Sequence, residues 1–197
     1  MIKIIGVDPS MTGTGLCAWD GTTSTVKTVA KQRDNRLRVI NRAVADIAWA
    51  AAPLTDRNRR PVQIRNTDGL SVPHYPVDLA VVEQVVARQG PAIGALWMVQ
   101  AAVRMALMDA GVPYAVVNPQ HLKAYAGWAK HDKDAMARSA YETDGSVFGS
   151  DDECDAWWLR QMALDRYGLL RLGTRRVSAQ QRAWLDKVQW PELEVSP

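Results

Sequence analysis

The chain has 197 residues, is 47% apolar, and carries 24 basic against 21 acidic side chains for a net charge of +3. That length suits one domain with room for an appendage, and the apolar share is enough for a core, while no apolar run approaches the roughly 18 residues of a membrane span. Two cysteines, Cys17 and Cys154, exclude a disulfide framework or a CxxC metal knuckle.

Met1 to Gly15 reads M-I-K-I-I-G-V-D-P-S-M-T-G-T-G. Ile2, Ile4, Ile5 and Val7 form a short, β-branched apolar run closed by a turn signal, the mark of a buried strand. No basic-then-apolar leader precedes it, so a reducing, cytoplasmic setting is expected. The strand ends on Asp8. Pro9 blocks further ladder pairing, and Gly13 and Gly15 let the chain fold back. A carboxylate at the exit of a buried strand is costly without a partner. The plain reading is a turn cap and the functional one a metal ligand or general base; Asp8 alone leaves both open.

Leu16 to Trp19 and Thr25 to Ala30 read as further strands joined through Gly21-Thr22-Thr23, an antiparallel start. From Asp34 to Ala51 the period changes. Leu37, Ile40, Val44, Ile47 and Ala51 recur at three- and four-residue steps, one face of an amphipathic helix that Pro53 stops. Leu54 to Pro76 contains three prolines and no sustained period. It is a long basic loop or a short β-excursion around Val62-Gln63-Ile64. Asp78 to Val82 is another buried strand, and it ends in Glu83.

Gly90 and Pro91 open a long helix, Ala92 to Ala110, closed by Gly111 and Pro113. Ile93, Leu96, Val99, Val103 and Leu107 form one apolar stripe; Ala95, Met98, Ala102 and Met105 form a second. A helix apolar nearly all round is buried on two sides, against another subunit or against a further helix. Tyr114 to Val117 is a short strand, and Asn118-Pro119 caps a helix carrying His121 and Lys123. Trp128 to Lys133 is a basic connection and Asp134 to Tyr141 a short helix. Asp151 to Tyr167 is the last core helix, with Asp152 and Asp155 at i and i+3 on one face. Ser178 to Val188 is expected to form a helix outside the core. The chain thus divides into a domain over 1–168, with its loop at 54–76, and an extension over 169–197. The element order predicts an α/β fold with a mixed five-stranded sheet flanked by helices on both faces.

Charge adds a second signal. The sequence pI is near 9.0. Lys27, Lys31, Arg33, Arg36, Arg38 and Arg42 crowd one region, Arg57, Arg59, Arg60 and Arg65 a second, and Arg166, Arg171, Arg175 and Arg176 a third. Singly these are solvated surface charges; together they suggest a basic face for a polyanion.

Asp8, Glu83, Asp152 and Asp155 each have an ordinary explanation, the helix pair as complements to a helix dipole. If the two strands are neighbours, however, Asp8 and Glu83 lie side by side and the helix pair can face them. Carboxylates at that distance cannot all ionise without cations. Oxygen ligands without Cys or paired His favour Mg²⁺ or Mn²⁺ over zinc. Two such ions about 4 Å apart form the clamp used for in-line displacement at phosphorus.

The G-V-D-P-S-x-T-G-x-G turn, the A-V-V-E-Q strand end, the V-N-P-Q-x-L-K helix start and the closing D-D-E-C-D-A, in this order along Lys3 to Asp165, resemble RuvC-type Holliday junction resolvases. The resemblance implies a ribonuclease H-like fold and a homodimer that nicks opposed strands of a four-way DNA junction. It implies two Mg²⁺ ions per site, with Mn²⁺ as substitute, held by Asp8, Glu83, Asp152 and Asp155, and products with 5′-phosphate and 3′-hydroxyl ends. By position, Lys123 matches a basic residue opening its helix. Lys133 matches a catalytic lysine near the scissile phosphate, with Lys130 and His131 as neighbours that could serve instead; Arg88 joins Lys123, Lys130 and Lys133 as a DNA contact. The chain departs from the family after Glu83, where Val85, Val86 and Ala87 stand in place of a junction-wedging aromatic, and in the 54–76 loop and the tail. Such departures would suit a phage-type or otherwise divergent member. Rival readings are a ribonuclease H-like nuclease acting on branched or flap DNA or RNA–DNA hybrids, an actin-like sugar kinase, and a non-catalytic DNA-binding module.

Overall fold

A computed structural model describes residues 2–32, 34–49, 76–86, 93–127, 134–170 and 177–193, and the backbone alone at 63–65, 71–73 and 133. Strands β1 (Ile4–Asp8), β2 (Gly13–Cys17) and β3 (Thr23–Lys27) form the antiparallel start, followed by helix α1 (Asn35–Ala48). Strands β4 (Gln63–Arg65) and β5 (Ser71–Pro73) then precede β6 (Leu79–Glu83), helix α2 (Ile93–Asp109) and β7 (Tyr114–Val117). Helices α3 (Pro119–Tyr125), α4 (Lys133–Asp144), α5 (Asp151–Arg166) and α6 (Ala179–Arg182) complete the order. No helix among the described residues is long and apolar enough to cross a membrane.

The main sheet has the order β3-β2-β1-β6-β7. The pairs β1–β2 and β2–β3 run antiparallel, whereas β1–β6 and β6–β7 run parallel. The mixed five-stranded sheet expected from the element order is therefore present. Alternation along each strand sends successive side chains to opposite faces. Ile5, Val7, Ala80 and Val82 pack with Ile40 and Val44 of α1 and Val99, Val103 and Leu107 of α2. Ile4, Leu79, Val81, Ala115 and Val117 pack on the other face with α3, α4 and α5. The same alternation assigns Asp8 and Glu83 to the α5 face.

Several boundaries differ from expectation for physical reasons. The second strand starts at Gly13, not Leu16. The buried Thr14 hydroxyl donates to the Ser10 carbonyl at 2.7 Å and accepts the Ser10 N–H at 3.2 Å, so the turn closes before Gly13. The third strand correspondingly runs Thr23–Lys27, in register with β2. Between α1 and β6 the β-excursion is present: β4 and β5 pair antiparallel, while most of the 54–76 segment lies outside the described residues.

Among the described residues, the apolar α2 is buried on one side only. Trp97, Met98, Met105 and Met108 stay exposed, so its second stripe has no covering helix among the described residues. The tail corrects another expectation. Leu185 and Val188 are 5% and 8% exposed and belong to the α5-side core. Arg182 pairs with Asp165 at 3.1 Å, and the Gln181 side-chain amide donates to the Tyr125 carbonyl at 2.8 Å. The His121 ring lies 5.3 Å from that of Trp184. The segment expected outside the core closes over α3 instead, because its widely spaced apolar residues find a ready surface there.

Candidate active site

The site begins with how close α5 lies to the sheet. A methyl group on Gly15 would stand 1.9 Å from the Asp152 carbonyl oxygen, and one on Gly6 1.9 Å from that of Ala156. No side chain fits between helix and strands at these points, so the α5 backbone rests directly on β1 and β2. Residues 152 and 156 are one turn apart, and both touch glycine. This contact brings the first turn of α5 over the exit of β1. Ser150 caps the helix, its hydroxyl accepting the Glu153 N–H at 3.3 Å.

Asp8 is the last residue of β1 and is 7% exposed. The β1–β6 register pairs Val7 with Val82, so the next step sets Asp8 beside Glu83, the last residue of β6. Both lie at the carboxyl ends of parallel strands, a common place for a site in α/β sheets. Burial pushes the Glu83 carboxyl up to about 7; a hydrogen bond with Asp8 and the charge of Lys123 pull it down, whereas Asp155 and Asp152 push it up. Every acid of the predicted set thus acts on Glu83, Asp8 by contact and the helix pair through space. Asp152 and Asp155 are partly buried, and one Asp152 carboxylate oxygen lies 2.7 Å from where a Gly13 methyl would stand.

The site's oxygens suit a hard divalent cation, because the charges of Asp155 and Asp152 raise the proton affinity of Glu83 and a cation would offset that negative charge. Among the described residues no group of three or more His, Cys, Asp or Glu stands as a finished metal-ligand set. The donor chemistry fits Mg²⁺ or Mn²⁺.

The basic residues divide. Lys123, on α3, is partly buried and close enough to influence Glu83. Lys133 opens α4, and its side chain lies outside the described residues, as do Lys130, His131 and Arg88. Past Glu83, Val86 is 57% exposed at the position of the expected aromatic.

Gln100 is a residue that motif reading misses. It is buried on α2, and its side-chain oxygen accepts the Val85 N–H at 2.8 Å. The Gln84 N–H donates to the Val117 carbonyl at 2.7 Å. Together these bonds fix the path of the chain leaving Glu83. A glutamine inside an apolar stripe was the available signal, since buried amides require partners.

The mixed sheet of order β3-β2-β1-β6-β7, covered by helices on both faces, is a ribonuclease H-like fold. Among solved structures the chain is similar to Thermus thermophilus RuvC. The complex of that protein with Holliday junction substrate matches with a TM-score of 0.59 and 17% identity, over 88% of this chain and 100% of that one. A second Thermus thermophilus RuvC structure matches with a TM-score of 0.58 and 21% identity, over 87% and 100%. No family model and no curated protein matches the sequence.

Proposed function

We propose that the chain is a metal-dependent, structure-selective endodeoxyribonuclease that resolves four-way DNA junctions. The observation that carries this reading is the convergence of Asp8, Asp152 and Asp155 on Glu83 at the strand ends. Its likeness in fold to RuvC, one structure of which holds a Holliday junction, supplies the substrate class.

In this reading Asp8 and Glu83 are the shared ligands, held by strands that pair along their length, and Asp152 and Asp155 complete the set from α5. Two bound Mg²⁺ ions, or Mn²⁺ in their place, would supply a water of lowered pKa and charge stabilisation at phosphorus. Asp8, Glu83, Asp152 and Asp155 would hold those ions beside the scissile phosphate. Lys123 offsets negative charge beside Glu83, and Lys133, Lys130 and Arg88 are the basic residues we assign to the DNA backbone. The products carry 5′-phosphate and 3′-hydroxyl ends. A second copy of the chain covers the exposed Trp97, Met98, Met105 and Met108 face, which places two sites on one junction. Exposed apolar surface of this kind marks an interface.

Val86 favours a second reading, because an aliphatic side chain offers no ring to stack on an unpaired base. Cleavage would then extend to flaps, other branched DNA or RNA–DNA hybrids. One gel separates the readings: four-way junction, flap and hybrid, each with and without Mg²⁺. Paired symmetric nicks in the junction are expected, lost in Asp8→Asn and Glu83→Gln while junction binding persists. Normal cleavage by either variant refutes the assignment.

A further inference from the structure

The first turn of α5 holds a third carboxylate, Glu153, which faces β3. One Glu153 oxygen accepts the Thr25 hydroxyl at 2.9 Å and the other the Thr23 hydroxyl at 3.1 Å. The second oxygen also takes the Gly149 N–H at 3.1 Å. The Ser150 hydroxyl, which caps the helix, lies 2.6 Å from the Thr25 hydroxyl. Thr23 and Thr25 are two residues apart on one strand and therefore share a face. Thr25 pairs with Gly15 in the ladder, and Gly15 is the residue on which Asp152 rests.

These bonds constrain what the glycine contacts leave free. Contact at Gly6 and Gly15 sets how deep α5 sits, and Arg160, donating to the Ile4 carbonyl at 3.1 Å, holds its middle, which leaves the rotation of the first turn to a tie nearer Asp152. Glu153 supplies that tie, reaching sideways to the edge strand. We infer that Glu153 is a positioning residue for nicking, which fixes the rotation of α5 so that Asp152 and Asp155 face Asp8 and Glu83. It rests on the junction-nuclease reading and gives Glu153 a role distinct from that of its acidic neighbours. With three donors on its two oxygens, it is occupied as a clamp.

The lever is short and the effect large. Side-chain ends lie about 5–6 Å from a helix axis, so a roll of about 10° moves a carboxylate by roughly 1 Å. A misplacement of about 1 Å costs on the order of 10²-fold in rate.

The test compares Glu153→Ala with Glu153→Gln in the full chain. Glutamine keeps an oxygen acceptor and adds a donor that a threonine hydroxyl oxygen can accept, but it lacks the charge. Nicking at saturating junction and Mg²⁺, junction Kd, and amide exchange at Gly149 are measured for each. Glu153→Ala is expected to nick roughly 10- to 100-fold more slowly, with junction Kd within about twofold of wild type and faster Gly149 exchange. Glu153→Gln is expected to stay within a few-fold of wild type on all three. Wild-type nicking by Glu153→Ala overturns the inference. So does equal loss in both variants with Gly149 protection kept in Glu153→Gln, which would make the charge itself the requirement. If the wild-type chain nicks no DNA, the junction-nuclease reading falls and the clamp is judged on Gly149 alone. Faster exchange in Glu153→Ala then shows only that Glu153 ties down the start of α5 and the role in nicking falls, and unchanged exchange overturns the tie as well.

Discussion

Gly15→Ala tests whether the site depends on a side chain being absent. The added methyl would lie 1.9 Å from the Asp152 carbonyl oxygen and 2.3 Å from its carbon, where ordinary contact begins at 3.4 Å. The obstacle is backbone, so no rotamer change relieves it. Either β2 bends or the first turn of α5 retreats by about 1.5 Å, the gap between those contacts. Overpacking of this kind costs about 1–3 kcal/mol. For a chain of this size each kcal/mol lowers Tm by about 2–4 °C. The retreat also carries Asp152 and Asp155 away from Glu83, so nicking should fall at least about 10²-fold. Gly94, on α2, has open space around its Cβ position. Gly94→Ala is therefore the stability control, with Tm unchanged or slightly raised. Thermal melts and single-turnover nicking of a labelled four-way junction supply both readings. A Gly15→Ala protein that melts and nicks like wild type would refute the direct seating of α5 on β2.

Glu83→Gln should raise Tm in metal-free buffer while abolishing nicking. Glu83 holds its proton up to about 7 in the fold, above its usual carboxylate value of 4.5, mainly through burial. The fold binds that proton more tightly than the open chain does, so wild-type stability falls as pH rises from 4.5 towards 7. The Tm advantage of Glu83→Gln should be absent at pH 4, open across that window and persist at pH 8; a gap independent of pH would contradict the burial of Glu83. Removing residues 177–197 should lower Tm by roughly 10 °C, because Leu185 and Val188 each contribute on the order of 1.5–3 kcal/mol by burial. An unchanged melt would mean that the tail merely rests on α3.

Periodicity made the layers legible. The strand carrying Asp8, the strand carrying Glu83 and the helix carrying Asp152 and Asp155 all announce themselves by local patterns of two or 3.6 residues, patterns the core enforces. The placement of Asp8 beside Glu83 followed once β1 and β6 were neighbours, since parallel register then sets the two strand ends level. What local patterns could not carry was contact between distant elements. Gly13 and Gly15 read as turn residues, yet they lie within β2 and serve as the bed for α5. Glu153 reads as one more acid complementing a helix dipole, yet it ties that helix to Thr23 and Thr25 on the far edge of the sheet. Leu185 and Val188 lie in a tail with no sustained period, and burial there depends on a surface made by α3 and α5. The two kinds of residue divide the work. Ligand candidates advertise themselves through charge at the ends of regular elements, whereas the residues that aim them do so through an absent side chain or a bond across the sheet. A substitution that keeps all four acids and fills Gly15 should therefore damage the site about as severely as losing one of them.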